Sequence, residues 1–367
     1  MRCIVSMLLV AGLLGGAAQA QPADTADRSG PDSSAVAEEQ TADWLLLPFA
    51  SYAPATKIAG GLVVGHYRPE GPGRSPSSVE LTLRGTQRRQ FTAQIDPELY
   101  VREGRWRVQG KLLASKFPNF FYDIGGDTPL TAEESYTARY GRIDLVAQRR
   151  LSPNLRVGPR LFVRAGTITD PEEGGLIDRG LVPGADGGVN AGVGLSALWD
   201  ARDNIYYPTV GTYGEAAVTW HSAAWGSDYT FGRLTTDLRG YRPVGDGVVA
   251  AQAYTEAVVG RAPFQLLPVL GGSDRMRGYR EGRFRDDVYW TLQTEYRRPL
   301  VWRLKGTVFG SVGEVGPRLG PDVFEGLEAA AGVGGRFRFT EDGVHGRLDV
   351  AYSRTGIKLY ISLGEAF

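Results

Sequence analysis

The residue types that most often carry out catalysis or bind metals are sparse in this chain. Its 367 residues include three histidines, His66, His221 and His345, and a single cysteine, Cys3. The histidines lie on separate segments, and the patterns H-E-x-x-H, G-x-S-x-G and the phosphate-binding P-loop do not occur in the sequence. We therefore expect no catalytic residues, no metal site and no cofactor, and we predict that the protein is not an enzyme.

Most of the chain consists of segments of about ten residues in which apolar and polar positions alternate, separated by Gly, Pro, Asp and Asn. In the segment 327–339 every odd position is apolar or small, whereas Glu328, Arg336 and Arg338 occupy even positions. Because successive side chains of a strand face opposite sides, each segment would have one apolar face and one charged face.

A soluble β-sandwich and a membrane β-barrel share this alternation, and three features favour the barrel. Arginine recurs on the polar faces of strand after strand, as a wet lumen would allow. Gly and Ala are frequent on the apolar faces, where they would leave holes in a soluble core. The chain also begins with features of an exported protein and ends in Phe367.

The N-terminal region resembles an export signal followed by a linker. Arg2 precedes an apolar run at 4–14, which is shorter than the roughly 20 residues that a membrane helix needs, and Ala18 and Ala20 form an A-x-A cleavage site. We predict a signal peptide at 1–20, a disordered acidic linker at 21–43 and an outer-membrane β-barrel at 44–367.

The net charge and the aromatic content of the chain are consistent with a location in the outer membrane. Without Arg2, the 41 basic and 41 acidic residues of the chain give a net charge of −1, so the sequence has no electrostatic footprint for nucleic acid. Its 14 Phe, 7 Trp and 17 Tyr residues could supply aromatic girdles at the two membrane interfaces. We predict outer-membrane lipid as a partner and no nucleic acid.

The alternation predicts a 16-stranded antiparallel transmembrane β-barrel. The predicted strands are 44–53, 57–68, 77–88, 90–101, 105–117, 136–150, 155–166, 187–200, 211–222, 229–242, 247–260, 287–298, 304–315, 327–339, 346–353 and 356–367. An even count places both ends of the barrel on the periplasmic side. The longest connection, 261–286, joins the eleventh and twelfth strands.

Two stretches of the sequence contain recognisable motifs. The first is a predicted periplasmic turn that contains Asp200, Arg202, Asp203, Asn204, Pro208 and Gly211. The second lies in the connection 261–286 and contains Gly271, Gly272, Arg277, Gly278, Tyr279, Gly282 and Arg283. Both resemble motifs of the bacterial surface antigen family, the barrels of the BamA/TamA outer-membrane assembly superfamily. The turn is similar to its D-x-R-D-N…P-T-x-G motif, and the loop to its V-R-G-F/Y motif, with Met276 in place of valine.

The resemblance implies that the loop folds into the lumen and that Arg277 bonds acidic side chains on the barrel wall. Glu295 occupies the position of the family's acid on the twelfth strand, and alternation independently places it on the lumenal face. Where the family usually has an aspartate on the thirteenth strand, this chain has Ser311. The second acidic partner would then be missing or supplied by Glu314, Glu328 or Asp349. The alternative is that Arg277 is an ordinary solvated loop arginine.

The last predicted strand resembles the C-terminal signal by which outer-membrane barrels are recognised for insertion. Tyr360, Leu363 and Phe367 are its predicted determinants, and Glu365 departs from the pattern because it falls on an apolar position.

The resemblance leaves two functions open. Family members that assemble or secrete proteins have tandem POTRA domains, whereas only a linker of roughly 20 residues precedes this barrel, as expected of a POTRA-less short member. We predict an integral, multi-pass outer-membrane barrel that takes part in assembly, insertion or translocation of proteins, with other outer-membrane or periplasmic assembly proteins as partners. The alternative is a passive pore or transporter that keeps the family architecture.

Overall fold

The computed structural model describes residues 43–68, 76–129, 131–318, 326–339 and 345–367. The predicted signal peptide and all but the last residue of the predicted linker lie outside these ranges. The described residues contain no helix that is both long enough and apolar enough to cross a bilayer.

Sixteen of the strands form one closed antiparallel barrel, which confirms the predicted fold class. In chain order they are β1 (Asp43–Ala53), β2 (Lys57–Arg68), β3 (Ser77–Thr86), β4 (Phe91–Val101), β5 (Trp106–Phe121), β6 (Glu134–Arg150), β7 (Leu155–Thr169), β8 (Gly187–Asp200), β9 (Gly211–His221), β10 (Phe231–Val244), β11 (Gly247–Gly260), β14 (Val288–Val301), β15 (Leu304–Gly316), β16 (Glu328–Arg338), β17 (His345–Ser353) and β18 (Gly356–Leu363). Each strand pairs with the barrel strands before and after it in the sequence, so that β11 pairs with β14, and β1 pairs with β18 to close the barrel.

The connection between β11 and β14, which we call the lumenal loop, has structure of its own. It contains a short 3-10 turn at Phe264–Leu266 and a two-stranded hairpin of β12 (Val269–Leu270) and β13 (Phe284–Arg285). Many of its side chains are buried, including those of Leu270, Met276, Tyr279 and Phe284, which pack together in one apolar cluster.

The two faces of the barrel follow the alternation in the sequence. On β8, Val193, Leu195 and Trp199 are exposed on the outer face, whereas Asn190 and Ser196 are buried on the inner face. Exposed aromatic residues such as Trp44 and Trp302 lie at strand ends, where they would meet a membrane interface. The outer surface is therefore suited to lipid and the inner surface to water and polar side chains.

The last strand is shorter than its sequence pattern predicts. The expected strand 356–367 ends at Leu363, and residues 364–367, which we call the tail, leave the sheet. The turn at Gly364 has φ of 75°, a conformation that glycine adopts readily. Glu365, Ala366 and Phe367 are all shielded from solvent, with Phe367 packed against Tyr241 and Val248 of β10 and β11. We call the barrel end that contains this tail and the start of β1 the terminal end, and the opposite end the loop end.

Candidate functional site

Arg277 lies at the tip of the lumenal loop and is the most enclosed charge in it, with its side chain 1% exposed. One terminal nitrogen donates to the carboxylate of Glu295 on β14, and the other donates to Asp349 on β17 at 2.6 Å. The guanidinium carbon also lies 3.7 Å from the centre of the Phe309 ring. A planar multi-donor group is suited to this arrangement because it can bond two carboxylates in one plane while stacking on an aromatic face.

The two acids that bond Arg277 also bond two further arginines. Glu295 accepts from Arg297 Nε at 2.9 Å, and Asp349 accepts from Arg336 at 2.5 Å. Both arginines are less than 2% exposed. The loop tip is thus tied to three barrel strands, β14, β16 and β17.

The tail closes this arrangement into a ring. Glu365 accepts from Arg336 Nε at 2.8 Å and lies 3.7 Å from Arg297 Nε. Going around, the charges alternate in sign through six buried side chains, which we call the charge ring: Arg277, Glu295, Arg297, Glu365, Arg336 and Asp349. Three positive and three negative groups compensate one another, as buried charges require.

Burial acts to raise the pKa of Glu365, but the charge of Arg297, a hydrogen bond with His345 and the charge of Arg336 outweigh it. The pKa of this carboxyl is therefore held well below its usual range, and Glu365 remains charged in the tail. A lipid-facing carboxylate would have no such partners, which explains why the chain turns inward before Glu365.

The backbone next to Arg277 fits closely against the wall. Gly278 has φ of 116°, and a Cβ added there would lie 3.0 Å from Ala330 Cβ and 3.2 Å from Ser353 Cβ. Its N–H donates to the Tyr360 hydroxyl at 3.0 Å, and its carbonyl accepts from Ser353 Oγ at 2.7 Å. Glycine is required here by both the backbone conformation and the close approach.

The other motif residues hold the rest of the loop. The Tyr279 hydroxyl donates to Glu328 at 2.6 Å, and Arg283 donates to the side chain and carbonyl of Thr128 at 2.8 Å. Gly271, Gly272 and Gly282 all have positive φ, and backbone bonds join Gly272 to Tyr279 and Gly282 to Leu270. These residues therefore form and attach a compact turn.

The sequence suggests four acids as partners of Arg277, and the structure brings two of them into contact with it. Glu295 and Asp349 contact it. Glu328 instead accepts from Tyr279 and Arg354, and Glu314 accepts from the backbone N–H of Gly326. Asp349 on β17 thus occupies the place of a second acid, and Ser311 lies on the neighbouring inner face of β15.

The turn motif at 200–211 forms a set of local hydrogen bonds between β8 and β9. Asp200 accepts from Arg202 at 2.9 and 2.7 Å, and Asn204 accepts from two backbone N–H groups. Asp203 accepts from the backbone and hydroxyl of Thr209. Burial acts to raise the pKa of Asp203, but these hydrogen bonds outweigh it and lower that pKa. Pro208 is buried, and Gly211 has φ of 116°.

This turn also reaches the neighbourhood of the charge ring. The Tyr207 ring centre lies 3.0 Å from Lys305 Nζ and 5.7 Å from the His345 ring. Burial, followed by the charge of Glu365, raises the pKa of Tyr207 to about 12. The turn motif and the loop motif therefore converge on the terminal end of the lumen.

The structure places the three predicted C-terminal determinants in different environments. Leu363 is exposed on the outer face, but Tyr360 is 1% exposed and lies on the lumenal face against Gly278 and Tyr279. Phe367 is 4% exposed and belongs to the inward tail rather than to the lipid-facing row. The alternation of β18 and the end of the strand at Leu363 account for both differences. Recognition of these residues as an insertion signal remains a prediction.

The closed barrel with an apolar outer face and a charged lumen defines an integral outer-membrane β-barrel protein. Residues 77–353 match the Omp85 superfamily domain, and the chain belongs to that superfamily. Its barrels take part in protein insertion into, or translocation across, the outer membrane. The protein is accordingly a multi-pass component of the bacterial outer membrane.

Solved structures of similar fold include two proteins of this kind. BamA from Haemophilus ducreyi, in a form lacking POTRA domains 1–3, shares 12% identity with a TM-score of 0.61, over 89% of this chain and 75% of that one. CdiB from Acinetobacter baumannii shares 11% identity with a TM-score of 0.55, over 88% of this chain and 60% of that one. CdiB from Escherichia coli gives the same identity and TM-score over 88% and 67%. No curated protein matches the sequence.

Proposed function

We propose that this barrel inserts or translocates polypeptides at the outer membrane by opening the seam between β1 and β18. One observation carries the proposal: a single register pair, Tyr52 with Ile361, joins these strands. By contrast, β1 pairs with β2 over its whole length, from Asp43 to Ala53. Within the described strands the barrel is therefore most weakly closed at this seam.

A weak seam would leave backbone hydrogen-bonding groups of β1 available to another strand. Backbone groups of β1 without a partner on β18 are costly in lipid because no water can satisfy them. An incoming strand could pair with that edge and satisfy the same groups. The barrel would then act as a template, and the chemistry would be hydrogen-bond exchange without any covalent step.

The proposed activity includes partner proteins. Barrels of the Omp85 superfamily work with other outer-membrane or periplasmic factors, so delivery of polypeptide is assigned to such assembly proteins. Affinity purification from solubilised outer membranes, followed by mass spectrometry, tests this part. Recovery of assembly components or periplasmic chaperones is expected, and a barrel that purifies alone would contradict it.

The seam itself can be tested with a disulfide. Tyr52 and Ile361 are register partners, and the only native cysteine, Cys3, precedes the predicted cleavage site. The double substitution Tyr52→Cys and Ile361→Cys should lock the seam under oxidising conditions. We expect loss of assembly of a reporter barrel, measured by its heat-modifiable migration on gels, and recovery after reduction.

A matched control places the same crosslink one strand away. Val350 and Leu359 are register partners on β17 and β18, and a disulfide there should leave assembly unchanged. If the oxidised seam variant assembles the reporter as well as this control does, the seam mechanism is wrong.

A passive pore is the second candidate. A lumenal cavity of about 740 Å³ lined by charged side chains favours it. A pore should conduct ions in planar bilayers equally well with the seam locked or free, while reporter assembly should be undetectable in both states.

A further inference from the structure

The lumenal cavity lies between the inner wall and the lumenal loop, away from the charge ring. Wall residues of β3, β5, β6, β7, β9, β10 and β11 and loop residues such as Leu266 and Arg275 line it, and Asn190 of β8 lies just outside this lining. Its volume of about 740 Å³ falls within the range of about 300–1,000 Å³ that is usual for small-molecule sites. Among the described lining residues, eight are Lys or Arg and five are Asp or Glu.

Two arginines of this cavity face each other on adjacent strands. Arg142 on β6 and Arg164 on β7 are register partners, and both line the cavity. Like charges directly opposite each other on a sheet destabilise it. Aromatic rings offset part of this cost, since Arg164 lies 4.4 Å from the centre of the Tyr140 ring and Arg142 lies 6.0 Å from that of Phe162.

The row continues onto β8 with Asn190, the register partner of Arg164. Its side chain is on the inner face and is 1% exposed. Neither its amide nitrogen nor its amide oxygen has a hydrogen-bond partner among the described residues, and the same is true of Arg142 Nε. Buried polar atoms without partners are costly, and two neighbouring side chains, those of Arg142 and Asn190, have such donors at one place.

The nearby carboxylates are already engaged elsewhere. Asp144 accepts from Arg160 at 2.9 and 2.7 Å, and Glu256 accepts from Arg233. Asp237 accepts from Arg239 at 3.0 and 2.6 Å. No ion pair of Arg142 or Arg164 with a carboxylate is found in the described part of the chain, so their charges are available to another anion.

We propose that Arg142, Arg164 and Asn190 form a binding site for an oxyanion group, such as phosphate, sulfate or carboxylate, on a small soluble molecule. Guanidinium groups bond such oxyanions through paired N–H donors, and the amide of Asn190 adds a further N–H. A bound dianion would also neutralise the opposed positive charges. The barrel wall separates the site from the bilayer, so the oxyanion belongs to a soluble molecule rather than to a lipid headgroup.

Inorganic phosphate is a suitable first probe for the purified full-length barrel in micelles. Titration calorimetry and thermal unfolding would be measured in phosphate and in chloride at equal ionic strength. We expect saturable phosphate binding, and a loss of affinity of about 10- to 100-fold in Arg164→Gln, since a charge-assisted bond is removed. Arg164→Lys, which keeps the charge but loses the paired donors, should lie in between.

Arg107→Gln is a matched control, because Arg107 faces the same lumen but is paired with Glu98 at 2.8 Å and does not line the cavity. It should keep wild-type phosphate affinity. In chloride alone, Arg164→Gln should unfold at a higher temperature than the wild type because the like-charge pair is gone, whereas Arg107→Gln should unfold at a lower one. These opposite shifts distinguish a site from general damage to the barrel.

Three results would overturn the proposal. The first is an absence of saturable phosphate binding to the wild type, and the second is an equal loss of affinity in Arg107→Gln, which would indicate only the overall charge of the lumen. The third is stabilisation by phosphatidylglycerol added to the micelles without any effect of phosphate, which would indicate a lipid ligand.

Discussion

At the scale of single residues, Arg277 is the side chain on which the lumenal loop depends most. Removing it leaves Glu295 and Asp349 buried without their shared partner, and breaking a buried pair in this way costs about 3–5 kcal/mol. We expect Arg277→Ala to lower the unfolding temperature and to expose the loop to trypsin near Arg283 in the folded barrel. Arg277→Lys should give a smaller effect, because an ammonium group keeps the charge but lacks the paired N–H donors of a guanidinium.

Arg298→Ala is the control for this experiment. Arg298 pairs with Asp246 at 3.4 Å, but both side chains are largely exposed, and such surface pairs contribute only about 0–1 kcal/mol. Equal trypsin protection of the loop in Arg277→Ala and Arg298→Ala would contradict the anchoring role of Arg277.

Glu365 predicts a pH dependence of stability. Its pKa is lowered in the folded protein, so its contribution is fully present above the unfolded-state pKa of about 4.3 and decreases as pH falls below that value. The free energy of unfolding of the wild type should exceed that of Glu365→Gln at pH 5. The difference should shrink below pH 4, as measured by urea unfolding in lipid vesicles. A difference that grew on acidification would have the wrong sign.

At the scale of structural elements, the fit of the loop against β16 and β17 depends on the absence of a side chain at one position. Gly278→Ala adds a Cβ at 3.0 Å from Ala330 in a backbone conformation with φ of 116°. Gly104 also has positive φ, at 74°, but open space surrounds it. We expect Gly104→Ala to cost about 1–2 kcal/mol from the backbone alone and Gly278→Ala to cost more. Unfolding temperatures of the two variants test this, and equal shifts would mean that the close approach is unimportant.

At the scale of the whole molecule, the outer face must tolerate lipid around the full circumference. Leu195, in the middle of β8, and Leu151, in a turn at the terminal end, are 63% and 60% exposed. Arginine at a lipid-facing midplane position costs about 2–4 kcal/mol, against about 0–1 near an interface. We therefore expect Leu195→Arg to reduce stability in vesicles much more than Leu151→Arg does. Similar losses for both variants would contradict the membrane position of β8.

Most of the barrel could be predicted from the sequence because alternation directly reports which face of a strand meets lipid. The observed bounds of β2, β8 and β11 coincide with the predicted ones, since Gly, Pro and Asp residues mark their turns. Alternation also assigned Glu295 to the lumen. By contrast, it could not identify which distant acid reaches Arg277, because the contact with Asp349 joins residues 72 apart in the chain.

The inward tail was missed although a signal was present. Glu365 falls on the lipid-facing register, where a carboxylate is expensive, so the strand had to end before it. Gly364 supplies the turn. The ring partners Arg297 and Arg336 were not identified either, because lumenal arginines are frequent in this sequence and only the folded arrangement shows which ones meet.

Tyr360 connects closure of the seam between β1 and β18 to retention of the lumenal loop inside the barrel. It belongs to β18, one side of the weak seam, and its hydroxyl accepts from Gly278 N–H at 3.0 Å and donates to the Tyr279 carbonyl at 3.1 Å. Movement of β18 toward the bilayer would break these bonds and release the loop tip, while a loop tip held in place resists that movement. Opening of the seam and release of the lumenal loop are therefore coupled, and the free energy needed for either one depends on the state of the other.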